Sequence, residues 1–167
     1  MTLSMYQASV PVFTTRLQAM AKLLTKSEAY AVERKIDPLV LVNARLAPDM
    51  HPLIRQIQFA TDHAKGAPSR LAGQVPPKFE DNETTFADLQ ARIAKTIAHL
   101  ETFSAADIDG SDDRIIEMKV GQRELKFPGT VYLLAFAMPN FYFHITTAYN
   151  ILRHNGVPLG KMDFMGV

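Results

Sequence analysis

The stretch NFYFHITTAYNILRHNGV, residues 140–157, sets His144 in an apolar helical stripe with Asn140 four residues before it. Side chains four apart share one helix face, and two imidazoles at that spacing can grip one metal ion. Here the first position is an amide, whose neutral oxygen is a weak ligand where zinc and nickel favour imidazole, carboxylate or thiolate. One imidazole does not hold a divalent ion, so a donor from another segment is required. His63 is the candidate: it flanks the stripe of another amphipathic segment, one turn from Phe59 and Ala67, with Gln56 two turns earlier. His51 lies about a third of a turn from His63 on that wheel and is not expected to converge with it.

Each histidine has a plainer reading beside the chemical one. A lone imidazole on an apolar helix face is commonly buried, neutral and hydrogen-bonded to a carbonyl or hydroxyl. Asp62 and Lys65 give His63 a partly wet setting, and His99 and His154 read as surface or helix-end residues. Tyr142 and Tyr149, two turns apart, can offer hydroxyls to a polar cavity with Gln56, or bury their rings with the hydroxyl at the rim. DIDGSDD, from Asp107, lacks the spaced ligands and closing glutamate of a calcium loop and reads as a solvated acidic turn. GVPLGKMDFMG follows a helix rather than a strand and is not a phosphate loop.

Four amphipathic segments must position these groups. Tyr6, Val10, Phe13, Leu17, Ala21 and Leu24 mark the first, with Pro11 imposing a bend or a late start. Leu53, Ile57, Ala60, Ala64, Ala67 and Leu71 mark the second, whose last turns are weakened by Gly66 and Pro68. Phe86, Leu89, Ile93, Ile97 and Leu100 mark the third, opened by a Thr85–Asp88 capping pair. The fourth runs from about residue 130 to Gly156, with Leu134, Ala137, Phe141, His144, Ala148 and Ile151 inward and a kink expected at Pro139. Between the third and fourth, a turn at Gly121-Gln122 pairs Lys119 with Glu124, Met118 with Leu125, Glu117 with Lys126 and Ile116 with Phe127. Opposite charges face one another and apolar residues share a face, which is the register of a β-hairpin. Residues 35–50 hold two prolines and are expected to form a short extended or single-turn piece. The simplest architecture is an all-α four-helix bundle of one domain, residues 1–167, with a small β-hairpin between helices three and four.

Composition narrows the function. The 167 residues are 47% hydrophobic and 21% charged with a net charge of +1. The basic residues are scattered, which argues against nucleic acid as the main partner. There is no cysteine, so thiolate ligands and cysteine nucleophiles are excluded. No apolar run reaches the ~18 residues of a membrane span and no secretory signal is visible, so a soluble cytoplasmic protein is expected.

Residues 59–73, FATDHAKGAPSRLAG, together with His144, AYNILRHNGV and GKMDFMG, resemble an uncharacterised branch of the DinB/YfiT-like bacterial proteins. The resemblance implies an up-down-down-up four-helix bundle and a homodimer. In metal-binding relatives a nickel or zinc ion sits between a histidine of helix two and an H-x-x-x-H pair of the last helix. Carried over, His63 is the helix-two ligand, His144 the second member of the pair, and Asn140 stands where the first imidazole would be. Characterised relatives include S-transferases and isomerases that work with low-molecular-weight thiols, whose ion lowers the pKa of a bound thiol or water. Two principal readings follow. One is a divalent-metal-dependent thiol transferase or isomerase with a degenerate site, using Tyr142 or Tyr149 as proton donor. The other is a non-catalytic, dimeric helical protein whose polar cavity binds a small molecule and no metal. A third, in which the hairpin and the aromatic tail cover a partner protein, has the least support.

Overall fold

Pro11 fixes where the first long helix begins. Its missing N–H is harmless only in a first turn, and in the computed structural model, which describes residues 3–167, α1 spans Val10–Glu33 with Pro11 in that turn. The start is late rather than bent. The next connection folds a single-turn helix, α2 (Pro38–Val42), capped by the Asp37 side chain accepting from the Leu39 N–H.

α3 (Leu53–Leu71) runs through both Gly66 and Pro68 without ending. Its stripe, Leu53, Ile57, Ala60, Ala64, Ala67 and Leu71, is buried, and the small alanines let the helix of residues 138–154 pack closely along it. α4 (Phe86–Leu100) opens with the expected capping box: Thr85 accepts from the Asp88 N–H and Asp88 accepts from the Thr85 N–H. The Thr84 N–H donating to the Asp88 carboxylate, together with those two bonds, lowers its pKa to about 2.

α5 (Ala105–Ile108) carries the acidic stretch into the fold, and Asp109 accepts from the Tyr6 N–H at 2.8 Å. β1 (Ile115–Val120) and β2 (Arg123–Pro128) pair antiparallel in the anticipated register, Ile116 with Phe127 through Lys119 with Glu124. Gly121 takes a φ of 59° at the turn. Ile116 is buried, and Phe127 leans on Phe136 with ring centroids 5.5 Å apart.

The last long segment departs from expectation. Gly129–Val131 (α6) passes into a π-helical stretch, Tyr132–Ala137, before α7 (Met138–His154). Pro139 cannot donate to the carbonyl of Ala135 and its ring crowds that oxygen. Widening the preceding turn relieves the clash, so the break falls upstream of the proline as a π turn. The wider turn rotates the upstream face, and Leu134, expected inside, is 54% exposed while Leu133 is buried. Downstream the reading holds: Phe141, Ala148 and Ile151 are buried, and Phe13 meets Phe141 edge-on at 4.9 Å. α8 (Lys161–Met165) folds back on α1, where Arg16 donates to the carbonyls of Phe164 and Met165. The fold is thus mostly helical with one small antiparallel hairpin, and its core lies among α1, α3, α4 and α7.

Candidate functional site

α3 and α7 bring His63 and His144 together. Their ring centroids are 5.8 Å apart and their planes differ by 17°. Phe59 lies against His144 at 5.0 Å, and Phe136 against His63 at 6.0 Å. Both imidazoles are half-buried. Burial, then the neighbouring His144, lowers His63 to about 4; burial, then His51, lowers His144 to about 4. At neutral pH the pair is uncharged.

Gln56 decides which nitrogen of His144 carries the proton. Its amide N–H donates to the His51 carbonyl at 3.0 Å, which turns Oε1 toward the imidazole. His144 Nδ1 lies 2.8 Å from that oxygen and therefore donates to it. Nε2 is left with a bare lone pair, the tautomer control that metal-binding imidazoles receive from a hydrogen-bonded partner.

The expected third ligand is less well placed to serve. Asn140 donates its side-chain N–H to the Phe136 carbonyl at 2.7 Å, tying the amide to the π turn of its own helix. Two imidazoles sharing an ion at ~2.0–2.1 Å have ring centres roughly 5–6 Å apart, so the His63–His144 spacing is compatible with a shared ion. Among the described residues, however, no three His, Cys, Asp or Glu side chains converge to hold a metal. Catalytic zinc sites take three protein donors. Two neutral imidazoles and an amide do not fit a tightly held resident ion.

Tyr142 and Tyr149 do not join this site. Tyr142 lines a separate groove with Pro11, Thr15, Arg16 and Phe164, and Tyr149 packs on Phe164 at 5.6 Å. They stand two and five residues from His144, displacements that rotate a side chain to the far side of an α-helix. Neither hydroxyl is in place to pass a proton to the histidines.

Several residues are placed differently from the sequence reading or lay outside it. His51 packs on Phe59 at 5.2 Å, because the chain before α3 turns back over the helix. His99 lies 2.9 Å from the Ser69 hydroxyl and is lowered by burial rather than standing free. Arg70 donates to the Tyr132 hydroxyl at 3.0 Å. Arg92, with a side chain only 1% exposed, reaches Thr61, Asp62, Asp81, Glu83 and the Glu80 carbonyl. The only sequence hint for Arg70 was Gly66, a glycine inside a helix one turn before it. A concavity of about 490 Å³ opens beside Arg92, lined in part by Lys78, Phe79, Glu83 and Lys95. The Arg92 guanidinium there is already met by carboxylates.

The comparisons agree with this architecture. Residues 5–165 match the family described as "Domain of unknown function (DUF1993)". A crystal structure of a DinB family member from Shewanella denitrificans is 43% identical, covering 97% of this chain and 92% of that one, with a TM-score of 0.88. The chain belongs to the DUF1993 family and is a DinB-like protein. No curated protein matches it. No helix among the described residues is long and apolar enough to cross a membrane.

Proposed function

We propose that this DinB-like protein binds a small molecule at the His63–His144 pair between α3 and α7, a family centre reduced to two neutral imidazoles. The observation that carries this reading is the His63–His144 pair itself. It is uncharged and flanked by Phe59 and Phe136, and among the described residues no third His, Cys, Asp or Glu joins it to hold a metal. The Nε2 lone pair of His144 accepts a hydrogen bond from the ligand, whose apolar body lies along the phenylalanine rings.

One observation favours a second reading. The Gln56 bond leaves His144 Nε2 bare, as an imidazole ligand requires. In that reading His63 and His144 hold a zinc or nickel ion, Asn140 positions water, and the ion supplies the Lewis acidity for a thiol S-transferase or isomerase.

Metal analysis of untagged protein separates the two. After reconstitution with zinc or nickel and gel filtration, the wild type is expected to retain well below one equivalent. Asn140→His, which rebuilds an i, i+4 imidazole pair, is expected to retain close to one. Near-stoichiometric metal in the wild type, lost in His144→Ala, overturns the first reading in favour of the second. The family kinship also supports an up-down-down-up order for the four long helices and a homodimer. A monomer by light scattering at micromolar concentration removes the dimer.

A further inference from the structure

Arg70 stands two turns after His63 on α3, so the two residues share a face. Gly66 lies between them on that face. A Cβ built at Gly66 would fall on Arg70 Nη1, with Cζ at 3.6 Å and Nη2 at 3.9 Å. The arginine side chain therefore runs back toward the helix N-terminus, as long helical side chains do, and rests its guanidinium on the bare glycine. That places the cation beside a residue only about 4.5 Å along the axis from His63.

Gly66 has an ordinary helical backbone and no positive φ. It is not there for a turn. A glycine in mid-helix is less favourable than an alanine, and the space it leaves is filled by the guanidinium.

The guanidinium is held but not neutralised. One of its five N–H groups goes to the Tyr132 hydroxyl on the π turn. No carboxylate pairs with it among the described residues. The other arginines near α3 contrast with it, since Arg55 and Arg92 both meet acidic partners. Tyr132 stacks on Phe136 at 6.0 Å, and Phe136 in turn meets His63. The π turn thus connects the arginine's anchor to the wall of the histidine site.

We propose that Arg70 is the anion-binding arm of the histidine site, so that its ligand carries a flat carboxylate at one end and an apolar or aromatic body between the cation and the imidazoles. This rests on the small-molecule reading above. A guanidinium with its Nε edge free meets a carboxylate through two parallel N–H···O bonds, while Phe136 and Phe59 offer the apolar surface.

The test is an NMR titration of isotope-labelled protein with benzoate, phenyl phosphate and benzamide. It follows the Arg70 Nε–H signal and the ring signals of His63 and His144. Benzoate is expected to move all three saturably and to bind about tenfold tighter than benzamide. Arg70→Gln should reduce benzoate to the benzamide level and leave benzamide within about twofold. Gly66→Ala keeps the arginine but displaces it, and should weaken benzoate in the same way, with a melting scan confirming the fold. Equal affinity for benzoate and benzamide, or no effect of Arg70→Gln, overturns the assignment and leaves the small-molecule site standing. If none of the three compounds moves the imidazole signals, both fall together. Phenyl phosphate binding tenfold or more tightly than benzoate overturns the carboxylate class.

Discussion

At pH 7 His63 and His144 are neutral, because burial holds each near 4 rather than the usual 6.5. The unfolded chain takes up protons on both as pH falls below about 6.5, while the folded chain resists until about 4. Their contribution is therefore fully present above about 6.5 and is lost as pH falls through the folded value near 4. The melting temperature should drop between pH 7 and 4.5, and a His63→Gln, His144→Gln double variant should flatten that drop. A wild-type melting curve unchanged across this range contradicts the burial argument. Gln56→Leu is expected to release the His144 tautomer, read as a mixed Nδ1/Nε2 pattern in nitrogen chemical shifts. The two imidazoles lie together, as the stripes of their helices and the family resemblance anticipated. Sequence spacing could not show Asn140 bonding its own helix, nor separate Tyr142 and Tyr149 from the histidine pair, because those depend on which way each face of α7 is turned.

Local rules governed most of the elements. The hairpin register follows from alternating charge and apolar residues, and the α4 start follows from Thr85 and Asp88, since both signals lie within a few residues. Thr85→Ala should cost about 1 kcal/mol, lowering the melting temperature by about 2–4 °C. An unchanged midpoint would show that the cap carries no stability. Glu117→Lys places like charges opposite Lys126, and should loosen the hairpin, measured as faster amide exchange at Met118 and Leu125. Leu134 shows where a fixed helical period fails. Counting from Phe141 at 3.6 residues per turn puts Leu134 inside, but the turn forced open by Pro139 gives that place to Leu133. A proline marks a break in the sequence without saying how the chain will absorb it.

Across the whole molecule, Arg92 joins three parts of the chain: α4, Asp62 and Thr61 of α3, and the long connection through Glu80, Asp81 and Glu83. A single arginine in an amphipathic pattern reads as surface, so this junction was invisible until the 72–85 connection was seen lying over it. Arg92→Leu strands acidic partners around a buried position, and should lower the melting temperature by roughly 6–12 °C. It should also expose residues 72–85 to protease; resistance equal to the wild type would refute the anchoring role. The π turn has a reach of a different kind. It contains a residue more than an ordinary helix would use, so an in-frame loss of one codon between Tyr132 and Ala137 would let the segment rewind. Leu133 would then stand seven residues before Phe141, the α-helical spacing of one face, so Tyr132 and the chain upstream would keep their orientation. Homologous genes with and without that extra codon would thus be expected to keep Tyr132 facing the arginine on the same scaffold.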